Sequence, residues 1–362
     1  MSQPPYRVDE EDHTTLALMD PPGPPEYPAP PGSGEPGRPV EGDRIWVHLA
    51  WELLLAVGVV ATFLAVRNSD ADALRGEGLD NFLIQVASLG FIASGLSFSL
   101  RAAVPNLAVG AIASGAAVVV GQLVTDAGWG YGAAISMALL SGAVLGFALA
   151  LVVIAFHVPA WAATLGTAVL LGGVTAGVVG ANRVALDGDQ PDVVASAWIW
   201  AAVFAAVSVV GGAAWVAPGL RRGLGGGRQD RDAAHRPPAG GVFGGLIALV
   251  VCSTLASAGG VLSVLRLGGA APRALDNLTW VAFGAVLLGG VSVFGRRAGI
   301  FGTLFGVLLL SLIQLWLVVE SVDTWVFTTV TGSAIVVGLI VSRLLEAAGR
   351  KPVRQPRPPQ YY

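Results

Sequence analysis

Apolar residues occur along this chain in runs of about 20, separated by short segments rich in Gly, Pro and charged residues. An α-helix needs about 20 predominantly apolar residues to cross a bilayer. The short alternating segments expected of outer-membrane barrel strands are absent from the sequence. The pattern therefore predicts ten transmembrane helices: Trp46–Val66, Asn81–Leu100, Asn106–Val124, Tyr131–Phe156, Pro159–Val179, Ala195–Val216, Gly241–Val264, Asn277–Phe294, Gly299–Val319 and Trp325–Leu345.

The composition supports a membrane protein. Only 12% of the residues are charged and 54% are hydrophobic, and the mean hydropathy is +0.68 even with two polar tails included. These values exclude an ordinary soluble domain and predict an all-α, polytopic integral membrane helical bundle. Cys252, the single cysteine, falls in the middle of a predicted span, so no intramolecular disulfide can form.

The two ends of the chain differ from its middle. Residues 1–44 contain 11 of the 22 prolines, nine acidic residues and almost no aliphatic run, which predicts a disordered cytoplasmic tail. Residues 346–362 form a second, basic tail of the same kind, and residues 45–345 form the transmembrane domain. Because the first apolar run begins only at Trp46, we expect no cleavable signal peptide, and the first span itself would direct insertion.

Lys and Arg predict the orientation, because these residues are retained on the cytoplasmic side. If the N-terminus is cytoplasmic, 16 of the 21 Lys and Arg residues fall in cytoplasmic segments and five fall in outer loops. This asymmetry predicts that both termini lie in the cytoplasm and that the number of spans is even.

Polar side chains inside the predicted spans are the candidates for a solute path, because such residues usually face a bundle interior or a cavity. The strongest set is Asn106, Gln85, Thr164, Thr279 and Gln314, whose neutral donors and acceptors suit hydroxyl groups. Pro105 interrupts the start of the third span, so we expect backbone N–H groups at membrane depth that are free to bind a solute. Hydrogen bonding between helices is the alternative interpretation of each of these side chains. Glu52, the one acidic residue well inside a span, is expected to pair with His48 or water.

Glycines recur at spacings that allow helix backbones to approach closely. Gly115, Gly166, Gly173, Gly302 and Gly306 belong to this set. A tightly packed bundle is the expectation, although glycine spacing alone does not specify a function.

The sequence offers no pattern typical of catalysis or metal binding. The four histidines stand alone, and Gly223-Leu-Gly-Gly-Gly lacks the Lys-Ser/Thr pair that a phosphate loop requires. We therefore expect no enzyme activity, no metal site and no cofactor in this chain.

Several segments, in order, carry a family resemblance. They are Ala103-Val-Pro-Asn-Leu-Ala-Val-Gly-Ala111, Pro159-Ala-Trp-Ala-Ala-Thr-Leu-Gly-Thr167, Arg266-Leu-Gly268, Leu287-Leu-Gly-Gly-Val-Ser292 and Gly295-Arg-Arg-Ala-Gly-Ile-Phe-Gly-Thr303. Together they resemble the permease subunits of ribose-type ATP-binding-cassette (ABC) importers over about residues 46–345. Asn106 stands where the family has an aspartate, Gly172 where it has an arginine, and Thr279 where it has an acidic residue.

One departure concerns coupling to ATP. In that family the loop between spans six and seven carries a helix that docks on the ATPase. Here Gly225–Gly240 keeps only a trace of the motif, and Pro237-Pro238 would end a helix there. The resemblance implies that this loop and the turn before span nine contact the ATPase, through the basic residues Arg228, Arg231, Arg236, Arg296 and Arg297.

The resemblance implies a transmembrane permease subunit of an ABC importer for a sugar or similar small polar solute, in the plasma (inner) membrane. Its partners would be cytoplasmic ABC ATPase subunits that use the ATP, an extracytoplasmic solute-binding protein, a second permease subunit and membrane lipid, but no nucleic acid. Two alternatives stay open: a degenerate, non-transporting membrane scaffold with a permease-like fold, and an ion-coupled secondary transporter.

Overall fold

Long helices account for nearly all of the structure. The computed structural model describes residues 45–180, 183–186, 190–215, 217, 219, 239–293 and 300–348. Within these residues the helices are α1 (Ile45–Ser69), α2 (Gly76–Arg101), α3 (Val109–Thr125), α4 (Tyr131–Phe156), α5 (Ala160–Val179), α6 (Ala197–Ala214), α7 (Ala239–Leu267), α8 (Leu278–Leu288), α9 (Gly302–Val319) and α10 (Thr324–Ala348). The predicted tails, 1–44 and most of 346–362, lie outside the described residues.

Two helices form the centre of the bundle. Helices α2 and α7 pack along each other, α3 and α4 pack on α7, and α6 and α8 pack on α2. Of the 18 consecutive residues that form the most apolar stretch of α2, 83% are buried inside the bundle. The corresponding fraction is 17% in each of α1, α5 and α10. A helix that is apolar all round but buried on one side only leaves an apolar surface for lipid or for a partner subunit.

The lipid-facing surface is strongly apolar. Leu53, Val169, Trp198, Val210 and Trp325 are each at least 63% exposed, and an apolar surface of this extent would be unfavourable in water. Eight of the described helices are long and apolar enough to cross a membrane. The chain is therefore an all-α protein that crosses the membrane several times.

Helices α3 and α8 are shorter than the expected spans. At 1.5 Å per residue, the 17 residues of α3 reach about 25 Å and the 11 residues of α8 about 16 Å, against a hydrocarbon core of about 30 Å. The eighth span predicted at Asn277–Phe294 is wrong as a continuous helix, because α8 ends at Leu288. Gly289 and Gly290 end it, and Gly290 has a φ of 77°, in the left-handed region that favours glycine.

A small antiparallel pair closes one end of the bundle. Strand β1 (Val184–Ala185) pairs with β2 (Gly269–Ala270), so the α5–α6 connection is joined to the α7–α8 connection. We call this the strand end. At the opposite end Gly290 lies against Trp51, near the start of α1, and against Leu345, near the end of α10. We call this the termini end.

Close helix packing at glycines is confirmed at some positions and not at others. A methyl group on Gly306 or Gly260 would collide with the backbone of α8 or α3, respectively. By contrast, Gly115, Gly166 and Gly173 have no atom within 4 Å of such a group. At those three positions the predicted close packing does not occur within the described part of this chain.

Candidate functional site

The helical structure is interrupted between α2 and α3, as the position of Pro105 in the sequence predicted. Helix α2 ends in a tight turn in which Ala103 has a φ of 61°, and the N–H of Ala103 donates to the carbonyl of Leu100 at 2.9 Å. Pro105 has no N–H and disfavours helical geometry in the residue before it. Helix α3 therefore starts only at Val109, three residues later than the predicted span.

Three predicted site residues meet at the start of α3. The N–H of Leu107 donates to the Thr164 hydroxyl at 3.0 Å, that of Ala108 to Asn106 Oδ1 at 3.0 Å, and that of Gly110 to the Thr279 hydroxyl at 2.9 Å. Gly110 lies in the first turn of α3, and Leu107 and Ala108 lie just before it, so these side chains satisfy backbone N–H groups that have no partner within the helix. We call this set the α3 cap. The expectation that these N–H groups are free to bind a solute is therefore wrong for all three.

The amide of Asn106 also connects α3 to the two central helices. Its Nδ2 lies 3.3 Å from the Ser253 hydroxyl on α7, and its own N–H donates to the Ser99 hydroxyl on α2 at 3.3 Å. Asn106 is fully buried, with 0% of its surface exposed. A buried amide with both ends bonded gives the break one defined conformation.

A second polar cluster lies further along α3, and the sequence did not reveal it. The Ser114 hydroxyl donates to Asp276 Oδ1 at 3.0 Å and accepts the N–H of Leu275 at 3.0 Å. The other Asp276 oxygen pairs with Nε of Arg273 at 3.1 Å. Asp276 falls in a connecting segment by sequence, so it was not among the predicted site residues. The one available signal was Asp276-Asn277 immediately before an apolar run, which is typical of a helix start.

Gln85 and Gln314 are brought together, but around a different pocket. They line a cavity of about 100 Å³ with Ser88, Ser263 and Arg266. Nη1 of Arg266 lies 3.4 Å from Gln85 Oε1, at the outer limit of a hydrogen bond. The five predicted path residues thus divide into the α3 cap and this glutamine pocket.

A cavity lined mainly by apolar side chains does not suit a polar solute. It has a volume of about 380 Å³ and lies between α3, α4 and α5. Val119, Leu145, Leu171 and Val178 dominate its walls. Sugar hydroxyls bound there would lose water and gain few partners, at a cost of about 1–3 kcal/mol per unpaired group.

Helix α1 connects the end of α8 to the start of α9. Trp51 Nε1 donates to the carbonyl of Leu288 at 2.8 Å. Glu52 Oε1 accepts the N–H groups of Phe301 at 2.9 Å and Gly302 at 3.1 Å. Glu52 was expected to pair with His48 or water; its carboxylate is attracted electrostatically by His48 and also caps α9. We call Trp51 and Glu52 the α1 clamp.

Some predictions cannot be compared with the structure. Arg228, Arg231, Arg236, Arg296 and Arg297 lie outside the described residues. In the part of the chain that the structure describes, no three His, Cys, Asp or Glu side chains are grouped so that they could hold a metal ion.

Part of the chain is similar to a family of known proteins. Residues 78–220 match the family described as branched-chain amino acid transport system / permease component. The probable ABC transporter permease protein YphD of Escherichia coli K12 is 32% identical over 109 residues, 30% of this chain and 33% of that protein. The D-allose transport system permease protein AlsC of the same strain is 30% identical over 100 residues, 28% of this chain and 31% of that protein.

A third relative matches this chain at a similar identity and over a similar length. The ribose import permease protein RbsC of Escherichia coli K12 is 33% identical over 96 residues, 26% of this chain and 30% of that protein. The chain therefore aligns with about a third of the length of these relatives. No solved structure gives a significant match. Over the matched part of the chain, the resemblance to the permease subunits of sugar-type ABC importers is confirmed.

Proposed function

We propose that this chain is the membrane subunit of an ABC importer for a sugar or a similar small polar solute. The observation that carries the proposal is the match of residues 78–220 to a family of transport permease components. Two relatives are named for D-allose and ribose transport, which favours a carbohydrate as the solute. The chain would act by alternating access and would perform no chemistry itself.

The proposed partners follow from the same role. ATP would be bound and hydrolysed by separate cytoplasmic ATPase subunits, and an extracytoplasmic binding protein would deliver the solute. A second permease subunit would complete the pathway. The proposed setting is the plasma membrane, with ten membrane-crossing segments that include α3 and α8 and with both termini in the cytoplasm.

The proposed solute path runs past the glutamine pocket and the α3 cap. The amides of Gln85 and Gln314 offer both donors and acceptors to hydroxyl groups. The path beside these glutamines would be lined by Asn106, Thr164 and Thr279, which would hold the break between α2 and α3 in a fixed shape. Because their hydrogen bonds already serve the α3 backbone, we expect them to act mainly by fixing the shape of the path.

The break between α2 and α3 supports a transport role. Irregular backbone at membrane depth is tolerated only where protein buries it or where it lines a cavity. Here Asn106, Thr164 and Thr279 all serve to hold such a break. Discontinuous transmembrane helices commonly form the substrate sites of transporters, which favours a transport role.

Binding of the ATPase is the experiment that tests the proposed function. The chain, purified in detergent with its ATPase subunit, should co-elute with it and should raise its ATPase rate when solute-loaded binding protein is added. Replacing Arg228, Arg231, Arg296 and Arg297 with Ala should abolish co-elution. As a matched control, replacing the exposed residues Arg67 and Arg75 with Ala should leave co-elution unchanged.

The scaffold alternative has a specific basis in the altered segment Gly225–Gly240. A scaffold would bind the ATPase without stimulation, or not bind it at all. Stimulation that depends on loaded binding protein supports the importer, and its absence with a correctly folded complex supports the scaffold.

A further inference from the structure

A cavity near the termini end has a polar floor and an apolar mouth. It has a volume of about 280 Å³ and lies between α2, α6, α7 and α9. Its floor consists of the buried side chains Arg101, Ser94, Ser97, Ser208 and Thr303, each at most 8% exposed. The mouth contains Val210, which is 65% exposed, and Val251, which is 36% exposed, on the surface that faces lipid.

Two hydroxyl groups on the floor are left without partners. The Ser94 and Ser208 oxygens are buried and have no hydrogen-bond partner among the residues that the structure describes. Serine and threonine in a helix usually bond to the carbonyl three or four residues earlier, as Thr167 and Thr254 do here. A buried hydroxyl without a partner is energetically costly, so an occupant with oxygen atoms would relieve that cost.

The charge on the floor specifies the kind of occupant. Arg101 is 3% exposed, and its Nη1 donates to the carbonyl of Gly211 on α6 at 2.8 Å. The carboxylate of Glu52 also attracts it, but Glu52 does not line the cavity and is bonded to the start of α9. Among the described residues that line this cavity, none is Asp or Glu. A cation beside two unpartnered hydroxyls favours an anionic oxygen group over a neutral or cationic one.

The position of the mouth specifies where the occupant comes from. Phe98, Val207 and Leu255 line the walls with Val210 and Val251, so the route to the floor is apolar. Arg101 is the last residue of α2, and basic pockets between transmembrane helices bind anionic lipid headgroups. A free anion would have to pass an apolar opening, whereas a lipid brings its own acyl chains to it.

We propose that this cavity binds the headgroup of an anionic phospholipid. The phosphate lies beside Arg101 and accepts hydrogen bonds from the Ser94 and Ser208 hydroxyls, and the acyl chains leave between α6 and α7 past Val210 and Val251. This lipid site goes beyond the proposed transport function and does not depend on it.

Lipid binding to the purified full chain tests the site. Native mass spectrometry would measure the affinity for phosphatidylglycerol and for phosphatidylcholine, with inorganic phosphate and glycerol phosphate as headgroup-only probes. We expect phosphatidylglycerol to bind at least tenfold more tightly than phosphatidylcholine, and the headgroup-only probes to compete poorly.

The double variant Ser94→Ala/Ser208→Ala removes the two hydroxyls without removing any hydrogen bond of the protein. Each lost bond to a charged oxygen should weaken phosphatidylglycerol binding about tenfold or more. Ser311→Ala is the matched control, because Ser311 is equally buried and without a partner but does not line this cavity. Arg101→Gln should remove the preference for phosphatidylglycerol, and Arg266→Gln should not.

Four results would overturn the proposal. They are equal affinity for the two lipids, unchanged affinity in the double serine variant, an equal loss in Ser311→Ala, and competition by inorganic phosphate as effective as the lipid itself. Because the double serine variant keeps every hydrogen bond of the protein, it stays informative even if Arg101→Gln fails to fold.

Discussion

The cap that Glu52 forms on α9 offers the sharpest test of how the bundle is held together. One carboxylate oxygen accepts two N–H groups, from Phe301 and Gly302, and Glu52 is only 4% exposed. We expect Glu52→Leu to leave both N–H groups without a partner. At about 1–3 kcal/mol for each group, the free energy of unfolding should fall by about 2–6 kcal/mol.

Two further effects determine how large the loss of unfolding free energy in Glu52→Leu is. Removing a buried carboxylate relieves its own desolvation, which reduces the loss. It also removes the negative charge that attracts the buried Arg101 guanidinium, which increases the loss. Glu52→Gln keeps a carbonyl acceptor but not the charge, and a neutral hydrogen bond is about half as strong, so we expect a smaller loss of about 1–2 kcal/mol.

Unfolding in SDS, followed by tryptophan fluorescence of detergent-purified protein, would measure these differences. Glu320→Gln is the matched control, because Glu320 lies at the other end of α9, is exposed and accepts one hydrogen bond from Ser69. It should cost less than about 0.5 kcal/mol. If both Glu52 variants unfold like the control, Glu52 does not cap α9 and the α1 clamp is wrong.

Three other predictions follow from the packing, the α3 cap and the charge pattern. Gly260→Ala places a methyl group against the backbone of α3 and should clearly lower the unfolding temperature. Gly173→Ala, which has open space around the added methyl group, should leave the unfolding temperature unchanged or raise it. Equal shifts in the two variants would contradict the packing. Asn106→Ala should cost about 1–3 kcal/mol in the same SDS assay because the N–H of Ala108 loses its acceptor, and a loss below about 0.5 kcal/mol would show that this bond is dispensable. On a Cys252→Ala background, a cysteine at Asp323 should react with an impermeant maleimide on intact cells and one at His157 should not; the reverse pattern excludes cytoplasmic termini.

The positions of most helices could be predicted from the sequence, because the length of an apolar run is a local property. Helices α4, α5 and α9 begin or end within a few residues of their predicted spans. The prediction of α8 failed at its end. The run continues to Phe294, but Gly289 packs directly against Gly302 of α9, and a contact between those two residues has no signature in the local pattern.

The role of each polar residue could not be predicted in the same way. Asn106, Thr164 and Thr279 were correctly chosen as polar side chains in an apolar setting, yet their partners lie in distant parts of the chain. The Thr279 hydroxyl, for example, meets the N–H of Gly110, 169 residues earlier. Asp276 was missed because a connecting segment gives no sign that it reaches Ser114. Composition identifies candidates, but only the fold shows which groups they bond.

Solute uptake tests the central claim most directly. The chain would be reconstituted in liposomes with its ATPase subunit and binding protein, with ATP on the ATPase side and labelled D-ribose or D-allose on the other. We predict that one of these sugars, or another small polar solute that competes with them for uptake, accumulates only when ATP and the binding protein are both present. Accumulation that needs neither, or that is driven by an ion gradient without ATP, would contradict it.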